Sequence, residues 1–119
     1  MKTVPHPDAE SIDPTVVFSA LSDPTRLAIC LSLAESEEFE ARCSSFQELG
    51  TPSNLAYHFA RLREAGVTRV RLQGTSRFVS LRRDDLDRRF PGLLDAILEA
   101  ARRSRASLPA IDVARPLVG

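Results

Sequence analysis

Residues 51–83 read TPSNLAYHFARLREAGVTRVRLQGTSRFVSLRR, and the fold is decided in this stretch. Thr51-Pro52 is a helix-opening pair. The threonine hydroxyl can accept from backbone N–H groups left unpaired in the first turn, and proline loses nothing at the first helical position. The spacing that follows predicts a helix over 52–65, with Leu55, Phe59 and Leu62 facing inward. Ser53, Asn54, Tyr57, His58 and Arg61 lie mostly on the other side. Gly66 ends the helix. Val70 and Leu72 then alternate with Arg69 and Arg71, the pattern of a half-buried strand. Gln73-Gly74-Thr75 reads as a hairpin turn and Ser76 to Leu81 as the return strand, so the hairpin covers about 68–81.

This stretch also concentrates charge. It holds Arg61, Arg63, Arg69, Arg71, Arg77, Arg82 and Arg83 against Glu64 alone, a net of +6 in a chain whose 16 basic and 16 acidic residues cancel. Residues 1–50 carry three basic and nine acidic residues, net −6, and residues 84–119 carry six of each. A basic helix-then-hairpin unit has the electrostatics needed to meet a nucleic-acid duplex.

Upstream, Asp13-Pro14 and Asp23-Pro24 repeat the cap-plus-proline signal. The first helix they open carries Val16, Val17, Ala20 and Leu21. The second runs to about Ser36, with Leu27, Cys30, Leu31 and Ala34 at helical spacing, and it is expected to be central. Glu35 to Glu40 reads as an acidic surface connection, and Ser45 to Leu49 as a short helix broken by Gly50. Downstream, a last helix starts near Pro91 with a stripe of Leu94, Ile97, Leu98 and Ala101. The chain is expected to be one domain over 13–108, between a loose arm at 1–12 and a frayed tail at 109–119.

The order is helix, helix, short helix, helix, hairpin, helix. That makes the chain mostly α with a β-hairpin wing: a winged helix-turn-helix with extra N- and C-terminal helices. The stripes of those two end helices have little domain left to cover them, which points to a partner chain. Val17, Leu21, Leu94, Ile97, Leu98 and Ala101 are the expected interface of a homodimer.

Several motifs resemble those of the ArsR-type winged-helix repressors. They are Leu21-Ser22-Asp23-Pro24-Thr25-Arg26-Leu27, then Leu62-Arg63-Glu64-Ala65-Gly66-Val67, then Gly74-Thr75-Ser76-Arg77 at the wing tip. The stretch Leu81 to Leu94, with Arg89-Phe90-Pro91-Gly92, is similar to one branch of that family. The resemblance spans roughly residues 16–100, and it is carried by the order and spacing of the motifs. It implies a homodimer on a two-fold symmetric operator, with repression relieved by a signal. Many metal-sensing members carry a Cys-x-Cys pair before the recognition helix; here Cys43 stands alone in that region. Asp95 on the last helix has no histidine near it in sequence. DNA binding without a metal or other cofactor is therefore expected.

The candidate DNA contacts are Ser53, Asn54, Tyr57, His58 and Arg61 on the recognition helix and Arg69, Arg71 and Arg77 on the wing. Asparagine can pair bidentately with adenine and arginine with guanine or phosphate. The alternative for the helix is an ordinary solvated face, and for the wing an ordinary strand surface. Cys30, set among apolar neighbours, reads first as core, and a Cys30–Cys43 redox pair is the less favoured option. No Gly-rich phosphate loop, metal-ligand pair or nucleophile elbow appears, so catalysis is not expected. No apolar run reaches the ~18 residues of a membrane span, and a cytoplasmic protein is expected. The second function class left open is a winged-helix protein-interaction module whose arginine face docks an acidic partner.

Overall fold

The computed structural model describes residues 4–109. Each of the three cap-plus-proline pairs starts a helix. Asp13 accepts from the Thr15 amide at 2.8 Å and opens α1, Pro14–Leu21. Asp23 accepts from the Arg26 amide at 3.0 Å and opens α2, Pro24–Ala34. Thr51 Oγ1 accepts from the Asn54 amide at 3.2 Å and opens α3, Pro52–Glu64. In each case the side chain satisfies an N–H that the helix itself cannot.

Helix α2 is the central element. Ile29, Cys30 and Leu33 are closed off completely, and Phe46, Leu62, Val67 and Val79 join them in one core. The region before α3 differs from expectation. Residues Cys43–Leu49 form a 3-10 helix, and Glu40–Arg42 form a short strand, β1. The hairpin follows as β2, Thr68–Gln73, and β3, Ser76–Leu81. The sheet order is β1-β3-β2, all antiparallel, with Ala41 and Val70 both opposite Val79. Strand β1 has no alternating apolar pattern of its own. It is a strand because β3 offers it a ladder, so local sequence carries no trace of it.

The hairpin closes on Gly74-Thr75 between paired Gln73 and Ser76. Gly74 has φ +61°, while Thr75 is not in the positive-φ region. Positive φ at the first of two loop residues matches the primed turns that fit strand twist.

The expected last helix lies close to where it was placed, and a helix that was not expected precedes it. Helix α4, Arg83–Arg89, precedes a break at Phe90–Gly92, and α5, Leu93–Arg103, follows it. Asp84 and Asp85 in the first turn of α4 and Arg88 and Arg89 in its last complement the helix dipole.

Two expectations are corrected. The segment expected to be a loose arm is docked along residues 4–12. It contains a 3-10 turn, Ala9–Ser11, and Ile12 is only 2% exposed. His6 Nε2 accepts from the Val70 amide at 2.9 Å, and the Pro7 carbonyl accepts from Arg82 at 2.7 Å. Gly66, at φ +82°, makes room for this arm, because a Cβ there would stand 2.6 Å from Ile12. The polar composition of residues 1–12 gave no sign of these partners, which lie 64 and 75 positions away. Of the expected tail, all but Pro109 lies outside the described residues.

The interface stripe is the second correction. Val17, Leu21, Leu94, Leu98 and Ala101 are buried inside the chain's own core, and Ile97 is half-buried. The end helices spend their apolar stripes on α2 and on one another: Val17 and Leu21 gather with Leu86, Phe90, Leu94 and Ile97 around a small notch. What α1 leaves outside is Val16 and Phe18, 40% and 50% exposed.

Candidate nucleic-acid interface

The 3-10 helix Cys43–Leu49, the turn Gly50-Thr51 and α3 make the helix-turn-helix, and the β2–β3 hairpin stands beside it as the wing. Leu55 and Leu62 anchor α3 in the core, and Phe59 meets the Phe46 ring edge-on at 5.7 Å. That anchorage turns Ser53, Asn54 and Tyr57 outward, all exposed. Among the described residues, the Asn54 side-chain carboxamide has no hydrogen-bond partner and Tyr57 is 58% exposed.

The other two candidates on α3 are tied down. Arg61 donates to Ser19 Oγ of α1 at 3.2 Å. His58 Nδ1 lies 3.0 Å from the Arg26 guanidinium, and the His58 side chain is only 12% exposed. Arginine can only donate, so Nδ1 accepts and the ring proton is on Nε2. His58 belongs to an internal bridge between α2 and α3, a correction to its expected place among the DNA contacts. Arg26 is the centre of that bridge. It is 7% exposed and also donates through Nε to the Ala20 carbonyl at 2.7 Å, so one guanidinium joins the end of α1, the start of α2 and α3. Sequence reasoning did not single it out, although a lone arginine on an otherwise apolar helix is itself a signal, since burial of a charge requires partners.

The wing arginines fall into two groups. Arg69 pairs with Asp85 at 3.4 Å. Arg71 reaches over the Phe78 ring, 4.4 Å from its centroid, to Glu40 at 2.9 Å. The Glu40 hydrogen bond pushes the already high pKa of Arg71 further up. Just past the hairpin, Arg82 is buried and pairs with Asp85 at 2.9 Å, and Arg83 pairs with Asp95 at 2.6 Å. Burial would raise the Asp85 carboxyl, but the Arg82 hydrogen bond and the charges of Arg82, Arg69 and Arg88 outweigh it and hold the carboxyl below its ordinary range. Four of the seven arginines between 51 and 83 are thus matched by carboxylates lying outside that stretch. Arg63 and Arg77 form no ion pair or hydrogen bond among the described residues. Arg77 is exposed near the wing tip.

The cysteines are both free thiols. Burial pushes Cys30 up to about 12. Burial also raises Cys43, the Arg77 charge pulling the other way. Both shifts run against a reactive thiolate at neutral pH. Among the described residues, no three His, Cys, Asp or Glu groups come together as a metal site, and no single helix is long and apolar enough to cross a membrane.

No family model matches the chain. It is 40% identical over 86 residues to an uncharacterized HTH-type transcriptional regulator, YceK, of Bacillus subtilis, covering 68% of this chain and 82% of that protein. It is 36% identical over 63 residues to a second uncharacterized HTH-type transcriptional regulator, MJ1325, of Methanocaldococcus jannaschii, covering 52% and 70%. The crystal structure of an ArsR family transcriptional regulator superposes with a TM-score of 0.57 at 21% identity, over 78% of this chain and 96% of that one. An outward helix face beside a wing, on a scaffold and sequence of this kind, places the chain among the DNA-binding HTH-type transcriptional regulators, with the winged-helix fold of the ArsR type.

Proposed function

We propose that the chain is a transcriptional repressor that binds a two-fold symmetric operator as a homodimer in the cytoplasm. The observation that carries this reading is the outward face of α3, where Ser53, Asn54 and Tyr57 are exposed on a helix with a capped N-terminus, beside a free Arg77. In this reading the N-terminal half of α3 enters the major groove, and Asn54 and Tyr57 touch base edges or phosphate. Arg77 supplies a sequence-blind phosphate contact. Arg69 and Arg71 can join it only by exchanging their surface carboxylates for phosphate. Such exposed pairs hold weakly enough to allow that exchange.

The dimer face is assigned to the part of α1 that the chain leaves uncovered, Val16 and Phe18, and not to the buried stripe. A particle of about 26 kDa, twice the 13.1 kDa chain, is expected by light scattering, and Phe18→Asp is expected to halve it without unfolding the chain. A monomeric mass for the unmodified chain at micromolar concentration rejects the dimer.

DNA binding is tested by selecting duplexes from a random pool with the full chain, then titrating salt on the selected duplex and on its scramble. Recovery of an inverted repeat with half-sites about 10 bp apart, or multiples of that, is expected. Binding that is weak and indifferent to sequence overturns the reading and leaves a winged-helix module that docks an acidic protein.

A further inference from the structure

A groove of about 570 Å³ runs between the recognition helix and the wing, and the DNA-reading role makes no use of its interior. Its floor is apolar: Leu55 and Phe59 from the inner side of α3, and Val70 from β2. Ala56 lies on the exposed rim. The remaining charge on its walls is of one sign. Arg63 and Arg77 line it, no acidic residue does, and neither arginine has a carboxylate partner among the described residues. The Nε of Arg63 is closed off from solvent with no acceptor. Arg61 Nε on the same helix is orphaned too, but Arg63 is the one that lines the groove.

We propose that this groove binds a small carboxylic acid with an apolar aryl or alkyl body. The floor would take the body out of water, and the carboxylate would reach the guanidinium groups, whose fork geometry fits it. The volume falls in the range of small-molecule sites, roughly 300–1,000 Å³. A DNA phosphate could meet the same arginines, but it would leave the apolar floor, where Phe59 is only half-buried, without an apolar partner. Only a ligand that is anionic at one end and apolar along its body satisfies both halves of the lining. A regulatory consequence follows, and it rests on the DNA-binding reading: a carboxylate held by Arg77 removes a phosphate contact, so the acid and DNA compete.

The test is isothermal titration of the full chain with naphthaleneacetate and decanoate, each beside its neutral amide. One acid per chain is expected, with each amide weaker by roughly tenfold or more because it lacks the charge-assisted pair. Ala56→Phe fills the groove from its exposed rim and is expected to remove binding with no change in melting temperature. Arg63→Gln is expected to weaken the acids about tenfold and leave the amides alone. If Arg63→Gln does not fold, Arg77→Gln near the exposed wing tip reports the same charge dependence. Equal binding of acid and amide, affinity that survives Ala56→Phe, or no heat from either acid at millimolar concentration overturns the site. The two readings fail separately. A chain that binds acid but not DNA loses the regulatory consequence and keeps the site. A chain that retards DNA but takes up neither acid loses the site and keeps the DNA reading.

Discussion

The stem and the tip of the wing both carry arginine and differ in what the arginines do. At the stem, Arg69 and Arg82 converge on Asp85, and Arg83 reaches Asp95. The Arg69 pair holds α4 against the hairpin, and Arg83, the first residue of α4, ties α4 to α5. Near the tip, Arg77 is exposed and has no carboxylate partner among the described residues. The same side chain is a fold-building group in one place and an open cation in the other. A run of basic residues in sequence therefore measures the charge supplied to a region, and only the long-range pairing decides how much is left for a partner. The +6 of residues 51–83 is reduced by Glu40, Asp85 and Asp95, all outside that stretch.

The sharpest break between stem and tip is expected from alanine at each. Arg82 is 3% exposed in its side chain, donates to Asp85 Oδ2 at 3.0 Å and holds the Pro7 carbonyl at 2.7 Å. Arg82→Ala leaves the Pro7 carbonyl without its donor and Asp85 with only the more exposed Arg69 and Arg88, and is expected to cost about 2–3 kcal/mol in urea denaturation. Arg77→Ala removes an exposed side chain and is expected to move the urea midpoint hardly at all. Comparable midpoints for the two variants would erase the distinction.

A second contrast lies between the wing tip and the recognition helix. Asn54→Ala is expected to cost on the order of 1–3 kcal/mol on the selected duplex and little on its scramble, because a base-edge contact is lost. Arg77→Ala is expected to weaken both duplexes alike and to flatten the salt dependence by roughly one ion per chain. Equal loss on both duplexes for Asn54→Ala would show that α3 does not read bases at that position.

How much of this was legible in sequence follows the range of the interactions. The three helix starts at Asp13, Asp23 and Thr51 were legible because each cap bonds an amide two or three residues away. The hairpin was legible from strict alternation and one glycine. Strand β1, helix α4 and the docking of the arm were not. Strand β1 and the arm depend on partners dozens of residues distant, and α4, Arg83–Arg89, is too short to show a clear helical period. The apolar stripes of the end helices were read correctly as stripes, but periodicity says only that a face is covered and not by which chain. His58 shows the same limit at the level of one side chain. Its helical position put it on the polar face, and only Arg26, 32 residues upstream, turned it into an internal bridge.

The arm gives a smaller, pH-dependent effect at the same sheet. His6 accepts from the Val70 amide only while Nε2 carries no proton. Burial lowers its pKa below 6.5, and the charges of Arg69, Arg82 and Arg63 lower it further. The folded state thus prefers neutral histidine more than the unfolded state does. The stabilisation from this contact is present above pH 6.5, and it is lost as pH falls through the lowered folded value. The urea midpoint of the wild type minus that of His6→Phe is expected to be largest above pH 6.5 and to shrink as the solution is acidified. A difference independent of pH would remove His6 from the clasp.

The smallest expected effect is also the most specific to the stem–tip comparison, because it is a gain. Arg71 lies between the two behaviours. It is exposed like the tip but paired like the stem, through Glu40 at 2.9 Å and Gln73 at 2.6 Å. If Glu40 is what withholds Arg71 from phosphate, Glu40→Gln should release it. Glutamine keeps the size and the β1 position of Glu40 but removes the negative charge that competes with DNA. Affinity is then expected to rise slightly, by the same factor on the selected duplex and its scramble, and the salt slope to steepen by roughly one ion per chain. The double variant Glu40→Gln with Arg71→Ala separates this from a general gain in positive field. It should lose the steeper slope if Arg71 is the group released. It should keep it if removing an acid anywhere near the wing has the same result, in which case the pairing of individual arginines matters less than the net charge of the sheet.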